Sequence, residues 1–307
     1  MSAQTAIPPF RPFARSGVRN RGAGTRIRGV RAFSWNPYRP VIPSRAGSRF
    51  VLPIRVNNFG DLLGPLIVAE IVRRKGLTAS APTSPSDADA AAPVLFSVGS
   101  VVQFARPGDV VWGAGVNGKS LSALGTALSS LDVRAVRGPE TRRELQQRGA
   151  AVPEVYGDPA LLLPELWPAL LDATDRKRRR VLVAPNLREY RAERAAGGAR
   201  GERAVLNPQR PLGEVIRTIA ESELVVGSSL HALIVAEALG VPAVGVVSAV
   251  EHPLKYADYY GGTGRPGVRL AGTVAEALSG RFAAPAPQWD PLPLLDAFPA
   301  DLWRSAV

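Results

Sequence analysis

His231 sits inside the segment Ser222-Glu-Leu-Val-Val-Gly-Ser-Ser-Leu-His-Ala-Leu-Ile-Val-Ala-Glu-Ala-Leu-Gly-Val-Pro242, and the 307-residue chain has only one other histidine, His252. Leu224 to Val226 reads as a buried strand. Gly227, Ser228 and Ser229 read as a turn whose hydroxyls can cap the next helix. Leu230, Leu233, Ile234, Ala238 and Leu239 then form the apolar stripe of that helix, which ends at Gly240. This order places His231 in the first helical turn at the carboxyl edge of a parallel sheet, where N–H groups and the helix dipole attract anions. Asn58, Asp61, Ser100, Arg137, Asp158, Asn186, Arg188 and Ser229 also stand at strand ends, with Glu237, His252 and Lys255 further along. Singly, such residues serve structure more often than chemistry. Converging on one cleft, they make a binding or catalytic site.

The elements that must position them repeat a strand–turn–helix unit. In the first half, strands are expected at Arg49–Val56, Val94–Val98, Asp109–Trp112 and Val133–Val136, with helices over Leu62–Arg74 and Glu140–Arg148. In the second, strands at Val181–Ala184, Leu224–Val226 and Ala243–Val247 alternate with helices at Leu212–Glu221 and from Leu230. The segment Glu251 to Arg265 reads as a loop dense in polar and aromatic groups, and Leu294 to Trp303 as a tail packing back on the body. The fold class is α/β, with two Rossmann-like domains. The expected divisions are a disordered leader at 1–31, an N-terminal domain at 32–171 and a C-terminal domain at 172–307.

Composition narrows the chemistry. The absence of cysteine excludes disulfides, thiol nucleophiles and cysteine-ligated metals, and two histidines are too few for a histidine-rich metal site. No Walker motif, GxGxxG or GxSxG is present. The net charge of +12 is concentrated in residues 1–49, which hold ten arginines and no acid, leaving about +2 for the rest. Specific nucleic-acid binding is therefore not expected of the body. A polyanion or the anionic inner face of a membrane is a partner for the leader alone, and the body is expected to be cytoplasmic, with neither a signal peptide nor a membrane span.

Asn57-Asn-Phe-Gly-Asp61, Gly99-Ser100, Trp112-Gly-Ala-Gly115, Val136-Arg-Gly-Pro-Glu-Thr141, Tyr156-Gly-Asp-Pro159 and Gly227 to Pro242 together resemble the polysaccharide pyruvyl transferases, with likeness from about Trp35 to Tyr260. The resemblance implies a GT-B-like pair of domains. It also implies transfer of the pyruvyl group of phosphoenolpyruvate to two hydroxyls of a saccharide or lipid-linked glycan, with release of phosphate and no cofactor or metal. On this reading, His231, tuned near neutrality, and Asp61 move protons. Asn58, Ser100, Arg137, Asn186, Arg188, Ser229, Leu230, His252 and Lys255 bind substrates. Where the family often carries an arginine, two positions before the histidine, this chain has Ser229. Arg137 is then the foremost candidate for the donor's anchor, with Arg188 and Lys255 next. The other readings are a GT-B nucleotide-sugar glycosyltransferase and a nucleic-acid or polyanion binder acting through the leader.

Overall fold

The structure is a computed structural model that describes residues 24–41, 52–79, 92–125, 128–198 and 203–305. The strands are β1 (Thr25–Ile27), β2 (Val30–Ala32), β3 (Tyr38–Val41), β4 (Leu52–Arg55), β5 (Leu77–Thr78), β6 (Val94–Phe96), β7 (Val110–Trp112), β8 (Asp132–Ala135), β9 (Arg179–Val183), β10 (Ala204–Val205), β11 (Ser222–Gly227), β12 (Ala243–Gly245) and β13 (Arg304–Ser305). The α-helices are α1 (Phe59–Arg74), α2 (Pro139–Gln146), α3 (Leu163–Leu166), α4 (Tyr190–Gly198), α5 (Leu212–Ala220), α6 (Leu230–Ala238), α7 (Leu254–Gly262), α8 (Val274–Ala277) and α9 (Pro291–Asp296).

Two sheets organise the chain. The first runs β1-β2-β6-β7-β8, parallel except for the β1/β2 hairpin, and the second runs β10-β9-β11-β12, parallel throughout. Their strands are short apolar runs covered on both faces, as parallel sheets require. Alternation along each strand sends Val110, Trp112, Leu182, Val225 and Ala243 into one apolar cluster shared by both sheets. Val111 and Val133 face a second cluster outside the first sheet, and Val183, Val226 and Val244 face a third outside the second. The shared cluster also takes in α1, α6 and the 3₁₀ turn Pro159–Leu162, so one continuous core joins the two halves. Helix α6 is buried on nearly every side, not along one stripe, because that turn, α3 and α5 pack on the surface its sheet leaves open. The expected boundary at 171/172 falls in another 3₁₀ turn, Pro168–Ala173.

Several expectations need correction. The leader is ordered from residue 24: β1 and β2 pair across Arg28 and Gly29, both left-handed at φ 45° and 91°, burying Thr25 and Ile27 between exposed arginines. The arginines mask this two-residue alternation in the sequence. The earlier part of the leader, residues 1–23, lies outside the described residues. The strand before α1 does not join the first sheet; β4 pairs antiparallel with β3 in a separate ribbon. Residues 254–262 form helix α7 and are not a loop. Tyr256, Tyr259 and Tyr260 recur at helical spacing and are buried, although Gly261, Gly262 and Gly264 disguise the pattern.

The C-terminal tail crosses back onto the first half. Trp112 Nε1 donates to Leu294 O at 2.8 Å, Trp289 Nε1 to Tyr156 O at 2.9 Å and Trp303 Nε1 to Ile27 O at 2.8 Å, while β13 pairs with β5. These contacts make the β1/β2 hairpin part of the fold. Truncation after residue 23 leaves it whole, whereas truncation after Arg31 removes an interior strand partner of β6 and the acceptor of the Trp303 bond. The second truncation is expected to lower the melting temperature by several degrees more than the first, as differential scanning fluorimetry of the two proteins would show.

Candidate active site

Helix α1 begins from an irregular turn. Asn57 is left-handed at φ 51°, and Asn36 fixes it by accepting its N–H at 2.8 Å and donating to its Oδ1 at 3.1 Å. Asn58 is the N-cap, but its side chain donates forward to Asp61 Oδ2 at 2.7 Å instead of capping the helix. Asp61 is thereby held in the first turn. The second half secures this end: Phe59 N donates to Pro208 O at 2.9 Å and Gln209 Nε2 to Val56 O at 2.6 Å.

His231 arrives from the opposite sheet. The β11–α6 turn is pressed on the end of β9, where Ser229 N donates to Ala184 O at 3.0 Å and a Cβ on Gly227 would lie 2.1 Å from that oxygen. Ser229 is the N-cap of α6 but makes no side-chain cap, contrary to expectation. The neighbouring Ser228 hydroxyl is turned instead toward Glu189 and Asn186. Leu230 is buried in the shared core. His231 lies against the start of α1: a Cβ on Gly60 would fall 2.1 Å from its Nδ1, so only glycine fits there. Phe59 meets the imidazole edge-on at 6.5 Å between centroids. From the first sheet, the Cβ position of Gly99 lies 3.9 Å from both Asp61 Oδ1 and His231 Cε1. Asp61 and His231 therefore face one point at the carboxyl edge of β6.

The cations come from two further elements. Lys255, in the first turn of α7, pairs with Glu251 at 3.4 Å and lies 5.0 Å from the centre of the Tyr256 ring. Glu251 also pairs with Lys119 of the first half at 3.0 Å, and Lys119 Nζ donates to Val250 O at 2.8 Å. His252 is exposed, accepts from Leu254 N at 3.2 Å and packs so closely on Gly118 that a Cβ there would lie 2.2 Å from its Nδ1. Arg137 is 1% exposed and spans the halves. It donates through Nε to Asp258 Oδ2 at 2.9 Å, through one terminal nitrogen to Ser100 Oγ at 2.7 Å and through the other to Val116 O at 3.1 Å. Three of its five N–H groups are thus committed to protein acceptors.

Burial and these charges set the ionisation of the pair. Burial pushes the Asp61 carboxyl up to about 7, against the Asn58 hydrogen bond and the Lys255 charge, which pull it down, and with Glu251 adding to the rise. Burial, then the Lys255 and Arg137 charges, push the His231 imidazole down to about 3, so it is neutral at pH 7 and not tuned near neutrality as expected. Its Nε2 is buried and has no hydrogen-bond partner among the described residues. Burial lowers Lys255 to about 8, with Glu251 opposing the shift. Solvent reaches part of the Asp61 and His231 residues, whereas the titrating atoms themselves lie inside.

Not every expected residue gathers here. Asn186 belongs to a network at the carboxyl edge of the second sheet, where its amide reaches Ser248 Oγ at 3.0 Å and Glu189 Oε2 at 2.5 Å. Arg188 is exposed beside it, with its N–H on Asn186 Oδ1. Asp158 caps the Pro159–Leu162 turn through Ala160 N at 3.0 Å, and burial raises it to about 6. Glu237 is committed to Arg265 at 2.7 Å. Sequence reasoning missed Glu251, Asp258 and Lys119. The only available signal for the first two was helical spacing around Lys255, hidden once 251–265 read as a loop.

The family model described as "Polysaccharide pyruvyl transferase" matches residues 58–249, well over half of the chain. The chain belongs to the polysaccharide pyruvyl transferase family. No curated protein and no solved structure matches it. The matched segment opens at Asn58, on the turn that holds Asp61, and closes just before Glu251. Helix α7, which carries Lys255 and Asp258, stands beyond the matched segment yet contacts it, through the Tyr256–Ser228 bond at 2.6 Å and the Arg137–Asp258 pair.

Proposed function

We propose that the protein transfers the pyruvyl group of phosphoenolpyruvate to two hydroxyls of one sugar of a saccharide acceptor, forming a cyclic ketal and releasing phosphate. One observation carries this reading: Asp61 and His231, both held toward their uncharged forms by burial, face one point at the edge of β6, where Arg137 bonds Ser100 and the Lys255 charge acts on both. The donor brings a carboxylate and a phosphate, which in a partly desolvated site need fixed cations and N–H donors. Lys255 supplies the open cation, and Arg137 the fixed one through the N–H groups that remain to it.

Protonated Asp61 gives its proton to the donor's methylene carbon, leaving positive charge at the adjacent carbon. A sugar hydroxyl adds there and releases its proton to His231. Phosphate bound beside Lys255 and Arg137 offsets the charges that hold the imidazole down, and so strengthens it as a base. Phosphate then leaves with the proton held by His231. The second hydroxyl closes the ketal, and its proton restores Asp61. One acceptor proton ends on carbon and the other on phosphate.

The test is to incubate the protein with phosphoenolpyruvate and candidate glycans, following phosphate release and the ketal methyl signal by NMR. Turnover of a nucleotide sugar with indifference to phosphoenolpyruvate would replace this reading with the glycosyltransferase one. Donor affinity carries its own pH signature. Lys255 loses its charge as pH rises through about 8, so phosphoenolpyruvate binding measured by calorimetry is expected to weaken between pH 7 and 9. In Lys255→Arg, which stays charged, the decline should shrink to the part set by Asp61 ionising through about 7, and the further fall through 8 should be gone.

A further inference from the structure

A cavity of about 830 Å³ opens on the second sheet, on the side away from α6 and between α4 and α8. Its volume is within the usual range for small-ligand sites. Val183, Val205, Val246 and Val274 line it with apolar surface, and Glu193 and Arg203 contribute charges of opposite sign. Val247, also on the lining, is 55% exposed. At the cavity's inner corner Glu189 accepts from Ser248 Oγ at 2.8 Å and Ala249 N at 2.8 Å, as well as from Ser228 Oγ and Asn186. Four accepted bonds leave Glu189 saturated, so it shapes the wall and Glu193 and Arg203 remain to meet a ligand.

Ser228 links this cavity to the catalytic pair. Its hydroxyl faces Glu189, its carbonyl accepts from Tyr256 OH beside Lys255, and His231 follows three residues on, in the first turn of α6. The two sides of Ser228 differ in charge. Toward His231 the cations Lys255, Lys119 and Arg137 outnumber their partners Glu251 and Asp258, and burial resists ionisation of Asp61; toward the cavity stand two carboxylates, Glu189 and Glu193, against one guanidinium, Arg203. The cavity side therefore disfavours the anionic donor. It suits an uncharged ring with an apolar C–H face and hydroxyls at its edge, the chemistry of a neutral sugar.

We propose that this cavity is the subsite for neutral sugar units of the acceptor next to the one that receives the pyruvyl group. The proposal deepens the pyruvyl-transfer reading and rests on it for the word acceptor. Its test uses linear trisaccharides of glucose, galactose and mannose as probes, with binding followed by saturation-transfer NMR on the full chain. At least one trisaccharide is expected to bind. Ala275→Arg, on the exposed rim, should weaken it tenfold or more, and Glu193→Gln several-fold, while phosphoenolpyruvate affinity by calorimetry stays unchanged. Failure of all three probes to bind, or equal binding in both variants, overturns the subsite. Cavity-dependent sugar binding without ketal formation leaves the subsite standing and removes the donor assignment instead.

Discussion

Asp61→Asn abolishes most turnover and makes the protein more stable above neutral pH. Turnover should fall by roughly 10²-fold or more, the usual scale for losing a general acid. The stability gain comes from linkage. The native carboxyl titrates at about 7 against an ordinary value of 3.8, so between these values the unfolded chain ionises while the native one resists. Stability is lost as pH rises through that window, and the penalty is constant above about 7. Asparagine keeps an acceptor for Asn58 and carries no such penalty. Its stability should match the parent near pH 4 and exceed it by pH 8, by an amount on the order of a few kcal/mol, with the melting temperature rising accordingly. His231→Gln has the opposite signature. The native imidazole titrates at about 3 against 6.5, so the parent loses stability as pH falls below 6.5, and this variant should gain on it toward acid. Thermal unfolding of the three proteins from pH 4 to 8 decides the matter. Parallel curves would show that neither group is held in its uncharged form by burial.

Asp258→Ala should be the most damaging single change to stability, costing about 3–5 kcal/mol. Asp258 is 0% exposed. It accepts from Arg137 Nε at 2.9 Å, Thr141 N at 2.8 Å and Thr141 Oγ1 at 2.7 Å. Removing it leaves a guanidinium inside the protein without its hydrogen-bonded counter-charge, with only the buried Asp158 carboxyl acting on it from nearby, and the start of α2 without its acceptor. Gly138 presses on the same helix: a Cβ there would lie 1.8 Å from Asp258 O, so the structure has little room to relax. Arg137→Met/Asp258→Leu removes both charges and should recover much of the loss, because burying an ion pair costs nearly what its attraction returns. Urea unfolding measures the stabilities, and a loss under about 1 kcal/mol in Asp258→Ala would contradict the account. Calorimetry with phosphoenolpyruvate on the folded double variant separates the two duties given to Arg137. Unchanged donor affinity would confine it to joining α2 and α7.

The sequence determined the α/β class, most strands of both sheets, and the place of His231 in the first turn of α6, because short apolar runs ending in glycine or serine before a helical stripe have few other solutions. It also determined the family, through the residues around Asn58 to Asp61 and Gly227 to Pro242. Three things were settled only by tertiary structure. Helix α7 took shape because Tyr256, Tyr259 and Tyr260 find burial on α2 and α6, which outweighs the weak helix propensity of the glycines at its end. The β1/β2 hairpin took shape because β6 and Trp303 wait for it at the sheet edge, contacts 60 or more residues away in sequence. The ionisation of the site inverted expectation: the histidine is neutral and the carboxyl is poised near neutrality. No local pattern encodes that, since desolvation depends on what the rest of the chain places around a group, and here α1, α6 and α7 converge from distant positions to exclude water from all three titrating side chains.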